Sequence, residues 1–288
     1  MVTVPAMEYE SARESFHDFC LWEYEPLTSY EHKIKSSSLL FHSFETAVAD
    51  PQVYDLVHNI RGNIGRSRTV WGVKKIGRKI QWEFYFYDYR RLRRQVSIHR
   101  LLKAIRPFVD CPIEENERLP YFMFSIDISD DLLSGARRLE EIHVYIGNPG
   151  STVSSGICYA LTHNAMKLEN FYFFFDAKKQ MKEILSKAAC SAHIDSGMNL
   201  DYIVWPEMRD CRIIVIANKQ MNDAVYFSGI DVDQLILFLR RMRYPAHSIS
   251  FIEEHRDRLD HLRYDAGFDY RAVGNELSIL KSGYYGTF

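Results

Sequence analysis

Long apolar runs, paired cysteines and nucleotide-binding glycine motifs are all missing from this 288-residue chain, and each absence closes off a class of protein. No stretch of about 18 apolar residues occurs, so there is no candidate membrane-spanning helix and no membrane partner is expected. The five cysteines, Cys20, Cys111, Cys158, Cys190 and Cys211, are odd in number, scattered and without CxxC spacing. They read as reduced thiols of a cytoplasmic protein, not as a disulfide framework or a zinc site. GxGxxG, P-loop and GxSxG motifs are absent, which removes support for nucleotide-binding and α/β-hydrolase readings. The opening residues, MVTVPAMEYESARESF, lack a basic segment followed by an apolar one and do not read as a secretory leader. Net charge is −2, too small for a global field that would draw nucleic acid or an anionic membrane. The basic run RRLRR (90–94) reads as a solvated or ion-paired turn. No linker rich in Gly, Ser or Pro divides the chain, so residues 1–288 are expected to form one domain.

Aromatic residues are what the chain has in plenty: 18 Tyr, 18 Phe and 4 Trp, or 14%. Helical periodicity predicts helices over 40–61 (with Pro51 as a break or a new first turn), 95–107, 177–192, 231–243 and 247–260. Between them, alternating segments predict about ten strands in five hairpins. The pairs are SRTVWGVKK with KIQWEFYFYDY, YFMFSIDIS with EEIHVYIG, SGICYALT with LENFYFFFD, DYIVWPE with CRIIVIANK, and LRYDAGFDY with ELSILKSGYYGTF. A short AVYFSG follows the fourth pair.

The alternation decides the architecture. In 81–89, Trp82, Phe84 and Phe86 oppose Gln81, Glu83, Tyr85, Tyr87 and Tyr89. In 121–129, Phe122, Phe124, Ile126 and Ile128 oppose Tyr121, Met123, Ser125 and Asp127; in 142–146, Ile142, Val144 and Ile146 oppose His143 and Tyr145. One face is large and apolar, the other rich in tyrosine with scattered carboxylates. An open sheet with a wet face usually carries Lys, Glu and Thr there. Tyrosine on several strands suits an enclosed cavity, because its ring gives apolar bulk and its hydroxyl a hydrogen bond. The fold expected is α+β: an antiparallel ten-stranded β-barrel with a solvent-filled, tyrosine-lined lumen, surrounded by α-helices.

These segments resemble the soluble aromatic prenyltransferases of the ABBA (αββα barrel) type, diffusely and over residues 65–288. WEFYFY is similar to that family's strand with an inward acidic residue, which places Glu83 on the acidic position. MFSID matches the strand entering the second hairpin. KLENFYFFF places Tyr172 on a cavity tyrosine. VWPEMRDCRIIVIAN resembles an aromatic-Pro turn before an arginine-led strand, placing Trp205 on a cavity aromatic and Arg212 on a diphosphate-binding arginine. LKSGYYGTF has the family's Lys-x-Gly-x-Tyr arrangement, with Lys281 on a diphosphate lysine and Tyr285 on a cavity tyrosine. The lysine of bacterial members that enters the second strand of hairpin two is replaced by Glu140 or Glu141.

The resemblance implies transfer of a prenyl group from dimethylallyl or geranyl diphosphate to an electron-rich aromatic acceptor, either a small molecule or a peptide side chain. Cations must hold the leaving diphosphate through charge-assisted hydrogen bonds; Arg68, Lys74, Arg212, Lys219, Arg263 and Lys281 are the candidates. Aromatic faces must shield the allylic cation; Tyr85, Tyr145, Tyr172, Trp205 and Tyr285 are the expected ring, with His143 in the same pocket. Glu83 is the first choice of catalytic base, ahead of Asp127, His143 and Asp265. Glu83 has a second use open to it, holding Mg2+ beside a diphosphate. No paired-carboxylate motif demands that ion. The alternative is a barrel that binds an aromatic small molecule without turning it over.

Overall fold

A computed structural model describes residues 7–11, 22, 24–65, 69–88, 94–114, 118–148, 153–274 and 276–288. Ten strands form one closed antiparallel barrel in which β1 pairs with both β2 and β10. They are β1 (Thr69–Ile76), β2 (Lys79–Tyr87), β3 (Tyr121–Ile128), β4 (Ile142–Gly147), β5 (Ser155–Leu161), β6 (Met166–Asp176), β7 (Ile213–Lys219), β8 (Asp223–Ile230), β9 (Tyr264–Val273) and β10 (Glu276–Thr287). Each strand pairs with its sequence neighbours, so the connections within pairs all lie at one end of the barrel and the connections between pairs at the other. We call these the hairpin end and the crossover end.

Among the described residues eight helices clothe the barrel: α1 (Ser37–Ala47), α2 (Gln52–Ile64), α3 (Ile98–Ile105), α4 (Asp130–Leu133), α5 (Met181–Ala189), α6 (Val232–Arg241), α7 (Ala246–Glu254) and α8 (Arg256–Leu259). Pro51 does open a new helix: Val48 turns left-handed (φ 53°) after α1, and Pro51 caps α2. The α6 start is a capping box, Asp231 and Gln234 satisfying each other's backbone N–H. α1 packs on β1 and β2, α5 on β6 and β7, and α6 on β9. Under them lie the outward strand residues Trp82, Phe84, Phe86, Phe124, Ile126 and Ile128, all fully buried. Burial of each such side chain contributes roughly 1.5–3 kcal/mol, so the core is the layer between barrel and helices. Among the described residues no helix is long and apolar enough to cross a membrane.

Two sequence expectations fail locally. DYIVWPE is not a strand. It forms two short 3-10 turns, Leu200–Tyr202 and Pro206–Met208. Ile203, Val204 and Trp205 are buried in succession, without the alternation a strand needs, and Pro206 has no N–H for a ladder. The tenth strand is instead AVYFSG, extended to Asp223–Ile230. In β3 a register shift between Tyr121 and Met123 turns Tyr121 outward and Phe122 toward the lumen, the reverse of the expected alternation.

The seam between β1 and β10 is clasped from outside. The Tyr244 hydroxyl reaches the carbonyl oxygens of Val73 (3.3 Å) and Ser282 (3.1 Å), one on each strand. Trp71 Nε1 donates to the Thr287 carbonyl at 3.0 Å, and Phe288 lies under the Arg61 guanidinium, 4.1 Å from its ring centre. Tyr244→Phe is expected to cost about 1 kcal/mol in urea unfolding; an unchanged midpoint would show that the clasp adds nothing to closure.

Candidate active site within the barrel lumen

Inward residues of alternate strands fall in layers, as in other closed barrels. The middle layer here is made of tyrosine, one from every even-numbered strand: Tyr85 (β2), Tyr145 (β4), Tyr172 (β6), Tyr226 (β8) and Tyr285 (β10). Their rings form an unbroken circle. Successive centroids are 6.1 Å (85–145), 5.7 Å (145–172), 6.4 Å (172–226), 6.5 Å (226–285) and 5.8 Å (285–85) apart. Odd-numbered strands supply the room. Gly72 faces Tyr285, Ser125 faces Tyr85, Cys158 faces Tyr145, Ala217 faces Tyr172 and Gly267 faces Tyr226. A Cβ on Gly72 would come within 2.5 Å of the Tyr285 ring, and one on Gly267 within 2.2 Å of the Tyr226 ring.

On the hairpin side of the ring sits a charged layer. Lys74 Nζ is 2.7 Å from both a Glu83 and an Asp127 carboxylate oxygen. Lys219 Nζ is 2.7 Å from Asp269 and Lys281 Nζ 3.7 Å from the same oxygen, to which Asn222 also donates at 3.0 Å. Three lysines thus face three carboxylates. Glu83 is saturated: one oxygen takes Lys74, the other accepts from the hydroxyls of Tyr85 (2.9 Å) and Tyr285 (3.1 Å). Burial alone would raise its carboxyl pKa; the charges of Lys74 and Lys281 and the hydrogen bonds from Lys74 and Tyr85 outweigh it and hold the group well below the usual carboxylate range. Burial would lower Lys74, but Glu83 and Asp127 raise it; Asp269 does the same for Lys219. Burial pushes all five ring phenols well above 10, so they stay neutral hydrogen-bond donors.

On the crossover side the lumen is apolar. A cavity of about 100 Å³ is bounded by the tyrosine ring and by Val70, Tyr87, Phe122, Met123, Phe174, Val215, Ser228 and Asp265. That is room for about three waters at roughly 30 Å³ each, well short of the roughly 300 Å³ at which ligand pockets begin. The barrel is closed as expected, and its own side chains occupy most of the lumen.

The expected site therefore comes together in part. Lys74, Lys219, Lys281, Glu83, Tyr85, Tyr145, Tyr172 and Tyr285 converge. His143 lies toward the hairpin end, its Nε2 2.8 Å from a Glu141 carboxylate oxygen, in a small surface cleft with Gln81 and Asp127. Arg68 falls outside the described residues, as does 90–93 of the basic run; Arg94 pairs with Asp88 at 3.0 Å.

Three expectations are corrected. Arg212 precedes β7 at the crossover end, seven residues from Lys219, or about 23 Å along an extended chain. Its guanidinium lies 4.8 Å over the Trp22 ring, so it cannot share one diphosphate with Lys281. Arg263, just before β9, lines the same outer cleft of about 710 Å³ with Trp22 and Tyr24. Trp205 is outside the barrel, stacked on Phe268 at 5.1 Å and beside Phe238 at 5.7 Å, with Arg241 over its ring. Its Nε1 already donates to the Tyr202 carbonyl at 2.9 Å.

Tyr226 completes the ring without having been among the expected site residues. Its signal was present, since Tyr226 alternates with Val225 and Phe227 in AVYFSG. As for Mg2+, Lys74 fills the gap between Glu83 and Asp127, and among the described residues no group of three His, Cys, Asp or Glu is placed to hold a metal.

A helix-clad, closed ten-stranded antiparallel barrel with this layered lumen is the class the fold and site define. A scan against protein-family models finds no match, and a search of curated proteins finds none either.

Two predictions follow from the packing and the charges. Gly267→Ala is expected to destabilise the chain by roughly 1–3 kcal/mol, because the added methyl also meets the Val225 carbonyl at 2.6 Å; a wild-type unfolding curve would contradict the ring geometry. Glu83→Gln is expected to cost roughly 1.5–3 kcal/mol at pH 7. Because the folded-state Glu83 pKa is depressed, its stabilising contribution is full above its ordinary value of 4.5 and is lost as pH falls below it. Urea midpoints of wild type and Glu83→Gln should converge in acid; a constant gap would contradict the ion pair.

Proposed function

We propose that this protein transfers a prenyl group from an allylic diphosphate to an electron-rich aromatic acceptor inside the barrel. The observation that carries the reading is the closed tyrosine ring set directly over three lumen lysines. The likeness of WEFYFY, MFSID, KLENFYFFF and LKSGYYGTF to aromatic prenyltransferases supports it as well.

An allylic diphosphate ionises when its leaving group is neutralised. Lys74, Lys219 and Lys281 converge on that task, each ammonium already aimed into the lumen by the carboxylates beside it. A diphosphate takes over positions that those carboxylate oxygens occupy at rest. The cation left behind meets the tyrosine faces, each worth about 0.5–2 kcal/mol when desolvated, and a lumen this full admits little water to quench it. Glu83 holds Lys74, Tyr85 and Tyr285 in register and so positions both layers. The acceptor approaches from the apolar crossover side. The crossover-side cavity of about 100 Å³ suits a five-carbon chain better than a ten-carbon one.

One observation favours the runner-up, a barrel that binds an aromatic molecule without turning it over: each lumen lysine has a carboxylate beside it. The same experiment separates the two. The chain is incubated with dimethylallyl or geranyl diphosphate and a panel of indoles, phenols and Tyr- or Trp-containing peptides, and diphosphate release and acceptor mass are followed. Transfer from dimethylallyl diphosphate is expected, with Lys281→Ala weakening donor affinity about tenfold, the equivalent of about 1.4 kcal/mol. Absence of diphosphate release and of binding of a non-hydrolysable donor overturns enzymatic transfer. Ligand binding that survives Lys281→Ala without turnover selects the binding barrel.

A further inference from the structure

We infer that Asp265 takes the proton that the aromatic acceptor gives up as the new bond forms, an inference that rests on the prenyl-transfer reading above. Asp265 is the first inward residue of β9 and sits in the wall of the apolar cavity, across the tyrosine ring from the lysines. It lies four residues from Asp269, about 13 Å along the strand. The lumen therefore has a direction: cations at one side of the ring, a carboxylate at the other. A cation formed above the lysines exposes its free face toward the crossover side, and an acceptor attacking that face lies next to Asp265.

Glu83 cannot easily fill this role, since both its oxygens are taken. Among the described residues Asp265 has no ion-pair partner. It accepts from the Gly229 N–H at 3.0 Å and from the Ser228 hydroxyl, and Ser228 Oγ in turn accepts from Trp22 Nε1 at 3.3 Å. Gly229 (φ 82°) is required for this relay, because a Cβ there would lie 2.2 Å from the Trp22 ring. Burial pushes the Asp265 carboxyl up to about 7, against the lowering effect of the Ser228 and Gly229 hydrogen bonds. That suits a base working near neutrality.

Among the described residues, the groups facing Asp265 from the elements around it are few. Tyr226 on β8 and Tyr285 on β10 are neutral phenols of the ring. Cys211, ahead of β7, has its thiol pushed up to about 12 by burial, with Asp265 adding to the shift. Tyr24 from the N-terminal segment is likewise raised, by burial first. Arg212 and Arg263 line the outer cleft beside Trp22 and form no ion pair with Asp265.

The step balances. The C–O bond to diphosphate breaks and its electron pair leaves with the diphosphate. An electron pair of the acceptor forms the bond to the allylic carbon. The acceptor's O–H, N–H or ring C–H proton passes to the Asp265 carboxylate and then to water when product leaves.

The test compares wild type, Asp265→Asn, Asp265→Glu and Ser228→Ala in transfer from dimethylallyl diphosphate, with the affinity for a non-hydrolysable donor measured alongside. Wild-type kcat/KM is expected to rise about tenfold per pH unit to a plateau above about 7. Asp265→Asn should lose that limb and fall by about 100-fold or more while donor affinity stays within about twofold. Asp265→Glu should restore the limb, and Ser228→Ala should move its inflection to higher pH, since one stabilising hydrogen bond is gone. Transfer by Asp265→Asn at the wild-type rate with the limb intact overturns Asp265 as the base and leaves the transfer reading standing. No transfer by the wild-type chain to any acceptor overturns both.

Discussion

The lumen is filled by a rule of alternation: each even strand sends in a tyrosine and each odd strand leaves a gap for it. A ten-stranded barrel is too wide for aliphatic side chains to meet across it, and an empty interior would forfeit dispersion contacts on every wall. Five phenol rings laid against Gly72, Ser125, Cys158, Ala217 and Gly267 solve that problem. The hydroxyls then have to be satisfied. Tyr85 and Tyr285 find Glu83, Tyr145 approaches Ser125 at 3.4 Å, and Tyr172 accepts from Asn170 at 3.3 Å. Packing, hydrogen bonding and shape come from the same residues.

The charged layer depends on this ring. Lysines and carboxylates are rarely buried unless paired, because the desolvation cost is several kcal/mol per ion. Here the pairs are close, and two of the phenol hydroxyls add donors to Glu83. The arrangement holds the Lys74 and Lys219 ammonium groups in fixed directions inside a low-dielectric cavity, with the partly exposed Lys281 at its mouth. Fixed charges in such a place act more strongly on a bound anion than the same groups would on a surface. The ring also divides the lumen into an ionic half and an apolar half, and the proposed reaction uses both.

Much of this was legible in the sequence, for reasons that separate cleanly. Strand alternation is a local signal, so the inward tyrosines on β2, β4 and β6 and the outward Trp82, Phe84 and Phe86 could be read directly, whereas Tyr285 on β10 was placed through the resemblance. Closure was legible because a tyrosine-rich face on several strands has nowhere else to go. What failed was depth along the barrel axis. Arg212 and Lys281 both look like strand-end cations, yet one lies at each mouth, and spacing within a segment says nothing about which. Trp205 failed because Pro206 and three consecutive buried residues make a 3-10 turn that mimics a short apolar strand. Accepting that segment as a strand left AVYFSG as a remnant, and Tyr226 was lost with it. Phe122 failed through one register shift, which no propensity foretells.

The measurement that tests the central claim most directly is the position of an inert dimethylallyl diphosphate analogue in a crystal of its complex with this protein. The account places both phosphates within hydrogen-bond reach of Lys74, Lys219 and Lys281, with the five-carbon chain passing into the tyrosine ring. Phosphates bound instead in the outer cleft by Arg212 and Arg263, with the ring undisturbed, would contradict it.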